Sequence, residues 1–184
     1  NEPVSIKMCA YIYKTHIADN YFVDFADADP KFIGDGLMLY RFGKDINDDK
    51  RLEFGLFLYS KHRIPVGEGF EKPRRLRNLL TLKTVADTKP DYIPVSEAWF
   101  SDIQAMTART PTGLFLATHA GNNDESHNHN DIGDFIVYLG NEPVIIDAGR
   151  GNYTAKTFSS KRYELWFTQS QYHKLPIGNG RSEG

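Results

Sequence analysis

The sequence predicts an α+β chain, helical first and sheet-forming second. Apolar residues recur at three- and four-residue steps through the first half, while β-branched and aromatic residues alternate with period two in the second. Between the two lies Thr88-Lys89-Pro90-Asp91-Tyr92-Ile93-Pro94, a polar stretch bracketed by prolines, which marks a boundary. The reading divides the chain into a helical region, 1–92, and a β region, 93–184.

The first helix is predicted over 4–17, where Ile6, Ala10, Tyr13 and Ile17 form one apolar stripe. Tyr21-Phe22-Val23-Asp24-Phe25-Ala26-Asp27-Ala28-Asp29-Pro30 then breaks the period with aromatics and carboxylates, and Pro30 disfavours helix at the residue before it. An ordered loop is expected there. Helical spacing returns at 34–42, 49–60 and 73–82, with Asp48 placed to cap the second of these. Strands are expected at 98–108, 113–120, 134–139 and 143–147, the last two joined by a hairpin turn at Gly140-Asn141. Residues 158–163 read as a short helix or loop, and 171–177 as a further strand.

Composition excludes whole classes of function. With 40% hydrophobic and 25% charged residues, the 184-residue chain can bury a core and is neither disordered nor collagen-like. Lys and Arg total 22 against 24 Asp and Glu, a net charge of -2, so no global basic field recruits nucleic acid or an anionic membrane. An acidic ligand must be met by a local site. The single cysteine, Cys9, cannot close an intrachain disulfide, and it leaves the compartment open. Apolar runs such as 54–59 are too short to span a bilayer, so membrane insertion is not expected. Helical periodicity is already established by Ser5, and the chain is expected to be an excerpt of a longer polypeptide.

The densest polar cluster is Gly121-Asn122-Asn123-Asp124-Glu125-Ser126-His127-Asn128-His129-Asn130-Asp131. If it is extended, His127, His129 and Asp131 share one face, because side chains alternate along a strand. Imidazole and carboxylate suit zinc, with further ligands to come from elsewhere; Asp147 and His173 are the candidates. A hairpin turning at Asn141 returns Asp147 toward the start of the strand that follows His129. A lone His-x-His is more commonly a solvated or hydrogen-bonded pair. His16, His62 and His119 read as ordinary polar residues, and Arg74, Arg75 and Arg77 as the solvated face of a helix. Tyr11, Tyr13, Tyr21, Phe22 and Phe25 can stack on sugar rings, though core packing and loop anchoring are the commoner uses.

The ordered set from Glu125 to Asp131, Phe135-Ile136-Val137-Tyr138, the stretch from Gly140 to Gly149, Tyr153-Thr154, His173 and Asn179-Gly180 resembles the heparinase II/III-like family of polysaccharide lyases. The likeness covers 121–180 closely, and the loop from Tyr21 to Asp27 more loosely. It implies the end of an (α/α) toroid followed by part of an antiparallel β-sandwich. It also implies roles. His127 matches a histidine of the active-site cleft that assists catalysis or neutralises the substrate. His129, Asp147 and His173 match the ligands of a structural zinc, with Lys174 a departure where the family usually has Asn.

The reaction implied is β-elimination at a uronic acid of an acidic polysaccharide such as heparin or heparan sulfate. A carboxylate is neutralised, a base takes the C5 proton, and an acid protonates the departing glycosidic oxygen. The family's main tyrosine and its partner lie well upstream of the His-x-His motif and are expected outside this chain. Asn122, Asn123, Glu125 and Tyr153 are candidates to line the substrate cleft. A periplasmic or secreted location follows from the resemblance alone. Gly121 with His127-x-His129 also satisfies the opening half of the first cupin motif, but Asp134 replaces its glutamate and the second motif is absent. The different-class alternative is a non-catalytic carbohydrate-binding or structural module.

Overall fold

The computed structural model describes residues 4–62 and 72–175, and the chain is α+β. It divides into two compact units, one of Asn1–Tyr13 and Ile33–Pro94, the other of Lys14–Phe32 and Val95–Gly184.

The first unit holds α1 (Val4–Lys14), α2 (Gly36–Ile46), α3 (Asp49–His62) and α4 (Lys72–Val85). Asp35 caps α2 by accepting the Met38 N–H at 3.0 Å, and Asn47 closes it in the left-handed region, at φ 56. Asp48 caps α3, as its position predicts: its Oδ1 accepts the Arg51 N–H at 3.0 Å. The two-residue link folds α2 back on α3, and Leu37, Leu56 and Val85 are buried with Tyr40, Leu52, Tyr59 and Leu82 packed against them. The side chains of Arg74 and Arg75 lie outside the described residues; Arg77 is exposed.

The helix predicted over 4–17 stops at Lys14, and β1 (His16–Ala18) pairs antiparallel with β2 (Tyr21–Phe22). Arg109 explains the switch. Its guanidinium donates to the carbonyls of His16 and Ile17, the latter at 3.0 Å, while Thr107 Oγ1 donates to Lys14 O at 3.1 Å. Those carbonyls are therefore satisfied by the sheet rather than by a continuing helix.

The second unit's main sheet is an antiparallel meander in the order β3 (Glu97–Phe100), β4 (Ala105–Arg109), β5 (Leu114–His119), β6 (Phe135–Leu139), β7 (Glu142–Ile145). The single strand expected over 98–108 is two, because Gln104 sits in the left-handed region at φ 47 and turns the chain. β6 and β7 form the expected hairpin, with Gly140 at φ 62. Alternation gives the sheet two faces. Phe115, Ala117, Ile136 and Tyr138 point to a core completed by Ile17 and Val23 from the β1–β2 segment. Trp99, Leu114 and Leu139 on the opposite face are exposed. The strand expected at 171–177 is instead a 3₁₀ turn at Ser170–Tyr172, and residues 176–177 lie outside the described ones.

Asp24 is buried in this core beside Tyr138, and burial, reinforced by Asp134, raises its carboxyl from 3.8 to about 6. The folded state therefore binds more protons than the unfolded chain between about pH 4 and pH 6, so Asp24 makes stability fall as pH rises through that window. Asp24→Asn is expected to gain roughly 1–3 kcal/mol at pH 7 and little at pH 4, from urea melts at the two pH values. Equal effects at both would contradict the assignment.

Candidate functional site

After β5 the chain leaves the sheet through a loop, and this loop is not extended. His127 lies in the left-handed region at φ 63, so the condition under which His127, His129 and Asp131 would share one face is not met. The two imidazoles consequently have different surroundings: the His127 side chain is 60% exposed and that of His129 is wholly buried. They still converge, on a carboxylate from the Tyr21–Pro30 loop. Asp27 Oδ2 is 2.9 Å from His127 Nδ1, and Asp27 Oδ1 is 3.1 Å from His129 Nε2.

Arg162, from the 3₁₀ turn Arg162–Glu164, locks this loop. Its Nη2 donates to Asp27 Oδ1 at 2.9 Å and to the carbonyls of His127 and Asn128 at 3.0 Å each. Nε donates to the Asn128 carbonyl as well, at 3.1 Å, and Tyr163 Oη donates to Asn128 Oδ1 at 2.7 Å. Burial works against the charge on Asp27, but hydrogen bonds from His127, Arg162 and His129 outweigh it and hold the carboxyl below its usual range.

Beneath Asp27, His129, Asp147 and His173 gather: one possible ligand atom from each lies within 4.8 Å of the others, and all three are buried. Each is aimed by its neighbours. Asp147 Oδ1 accepts the N–H of Gly149 at 2.6 Å in a short turn that puts Gly149 at φ 68, where glycine is favoured. That leaves Asp147 Oδ2 facing His173 Nδ1 at 2.8 Å. His173 Nε2 is 3.2 Å from the Phe167 carbonyl, which can only accept, so Nε2 carries a hydrogen. His129 Nε2 likewise faces the ionised Asp27, while His129 Nδ1 is buried with no hydrogen-bond partner.

Asp134 closes the far side. Its Oδ1 accepts N–H groups from Phe135 at 2.8 Å and Lys174 at 2.7 Å, and its Oδ2, buried and without a hydrogen bond, stands 3.5 Å from His173 Nδ1. The contact from residue 174 is made by its backbone N–H and not by the lysine side chain.

The donor set fits a divalent metal of the zinc type: two imidazoles and a carboxylate, buried, with outer partners on both rings. Burial lowers His129 to about 4 despite the pull of Asp27, so its imidazole is neutral at pH 7, as a ligand must be. For His173 burial acts downward too, but Asp134 and Asp147 reverse it and hold the imidazole up at about 10. Two carboxylates thus face His173 Nδ1, Asp147 at 2.8 Å and Asp134 at 3.5 Å, and a cation held there would meet the same negative charge.

The other predicted residues are distributed differently. Asn122 Oδ1 accepts the Asp124 N–H at 2.9 Å, and Glu125 accepts the Asn122 N–H at 3.3 Å while its other oxygen lies 3.5 Å from His119 Nε2. The Asn123 carbonyl accepts from Asn128 Nδ2 at 2.8 Å. These groups brace their own turn. Tyr153 is exposed, with the Arg150 guanidinium 5.5 Å from its ring centroid, and Arg150 pairs with Asp29 at 2.7 Å. Burial first, then the neighbouring Asp27 carboxylate, raises the Tyr153 phenol. His119 is not merely a strand residue: it points inward, stacks on Phe25 at 5.6 Å and lies 3.9 Å from Asp131.

Sequence reasoning missed Asp27 and Arg162. The loop bearing Asp27 was legible as ordered, but nothing local distinguishes Asp27 from Asp24 or Asp29. No family model matches the chain, and no curated protein matches its sequence.

Proposed function

We propose that the chain belongs to a heparinase II/III-like polysaccharide lyase that cleaves an acidic, uronic-acid-containing glycan by β-elimination, with His129, Asp147 and His173 holding a structural zinc. One observation carries the reading. Three residues spread from 129 to 173, singled out by the resemblance, supply donor atoms within 4.8 Å of one another in a buried centre. The apolar outer face of the sheet, with Trp99, Leu114 and Leu139 exposed, supports the sandwich half of that reading, since a second sheet would cover it.

In this reading His127 is the residue that meets substrate. Its Nδ1 is engaged by the ionised Asp27, which favours the tautomer with hydrogen on Nδ1 and leaves Nε2 to accept or, when protonated, donate a proton. An imidazole so oriented can stabilise the uronate or exchange a proton during elimination. A bound zinc would supply cross-linking of the loop to the sheet. Among the described residues, no helix is long and apolar enough to cross a membrane. Periplasmic or secreted residence, and action within a longer polypeptide, belong to the same proposal.

The test is a screen of the intact protein against heparan sulfate, heparin, hyaluronan and alginate for the ultraviolet absorbance of unsaturated uronate. His127→Ala is expected to lower turnover by about 10²–10⁴-fold. Glycan binding without turnover would instead assign a carbohydrate-binding module, a role that the self-bonded turn of Asn122 and Glu125 would also serve.

A further inference from the structure

Asp27 occupies an unusual position. One carboxylate spans two imidazoles that differ in exposure, with Oδ1 on His129 Nε2 at 3.1 Å and Oδ2 on His127 Nδ1 at 2.9 Å. The backbone on both sides of this contact is strained: Ala26, next to Asp27, has φ 58, and His127 has φ 63. A non-glycine residue is disfavoured in the left-handed region, and it persists only where surrounding interactions over-determine it. Arg162 supplies those interactions through one nitrogen, Nη2, which reaches both Asp27 Oδ1 and the His127 carbonyl.

We infer that Asp27 is the outer-sphere carboxylate of the metal centre, which fixes the His129 ring for zinc and, through its second oxygen, ties the orientation of His127 to that centre. The inference rests on the zinc reading above and goes beyond it, because Asp27 is no ligand and lies in a segment remote in sequence from all three. The chemistry is that of a carboxylate–histidine–metal relay. A carboxylate on Nε2–H makes the opposite nitrogen a better donor and prevents the ring from turning, and loss of such a partner typically weakens metal binding 10–100-fold. His129 Nδ1, buried without a hydrogen bond, is the nitrogen so presented. Asp27 is thus a positioning residue for both rings: it holds one toward the metal and the other toward solvent.

The test measures zinc affinity of the intact protein by competition with a chromophoric chelator, after thermal melts establish that each variant is folded. Asp27→Asn is expected to weaken zinc binding 10–100-fold, whereas His127→Ala, which removes only the exposed ring, is expected to leave it within about twofold. Should Asp27→Asn fail to fold, Asp27→Glu carries the same test, with the longer side chain displacing the carboxylate. Zinc affinity unchanged in the folded Asp27 variant overturns the inference, as does an equal loss in His127→Ala. Absence of zinc binding in the wild type overturns the metal reading and this inference with it. Tight, Asp27-dependent zinc binding without glycan turnover leaves this inference standing and removes the lyase reading alone.

Discussion

Replacing His129 by alanine is expected to abolish stoichiometric zinc in elemental analysis of the purified protein and to make its stability indifferent to chelators. The expectation follows from what surrounds the missing ring. Asp147, Asp134 and Asp131 bring three buried carboxyl groups to the region of His173, and burial raises both Asp147 and Asp131 while hydrogen bonds keep Asp134 ionised. A divalent cation would offset that crowding. Stabilisation by a bound ligand grows as RT ln(1 + [L]/Kd), so zinc at about a thousand times its dissociation constant adds about 4 kcal/mol. For a chain of this size 1 kcal/mol moves the melting temperature by about 2–4 °C, so chelation of the wild type should lower it by roughly 8–16 °C. His129→Ala should begin near the chelated value and respond to neither zinc nor chelator. Retention of zinc by the variant would refute the centre, and a wild type unmoved by chelation would make any bound metal incidental to stability.

How much of this was legible in the sequence depends on the range over which each feature is determined. The Asp48 cap and the Gly140 turn are decided by residues within a few positions, and both occur where residue chemistry places them. The end of α1 was not legible, since Ile17 continues the helical stripe and the donor to its carbonyl, Arg109, lies 92 positions away. For the His-x-His segment the sequence supports only a conditional reading, a shared face if the segment is extended. His127 departs from that condition at a left-handed φ that no glycine announces, and Arg162, 35 positions away, bonds its carbonyl. In the same way Asp27 is indistinguishable from its neighbouring carboxylates until Arg162, 135 positions away, selects it. Residue types pointed to the chemistry of the centre, while long-range hydrogen bonds determine which residues surround it.

Gly55→Ala is expected to lower stability by about 3 kcal/mol, near the upper end of what overpacking usually costs, although helix propensity alone predicts the opposite sign. In a helix interior alanine is favoured over glycine by roughly 1 kcal/mol. At Gly55 the added methyl has nowhere to go. Its Cβ would lie 2.7 Å from the Gly36 carbonyl oxygen and collide with the backbone nitrogen of Tyr40, and neither is a side chain that can rotate away. The other glycines of this hairpin meet the same restriction: a Cβ on Gly36 would lie 2.5 Å from Gly55 O, and one on Gly43 would lie 2.5 Å from Leu52 N. The helices α2 and α3 therefore approach backbone to backbone, and relief requires them to separate, which loosens the contacts of Leu37, Leu56 and Val85. Gly140→Ala is the matched control, for it has φ 62 and nothing within 4 Å of the added Cβ, so only left-handed strain of about 1 kcal/mol opposes it. Denaturant melts of the two variants separate the causes. A Gly55→Ala protein as stable as the wild type would mean that α2 and α3 can separate freely, and the close approach would then contribute nothing to the fold.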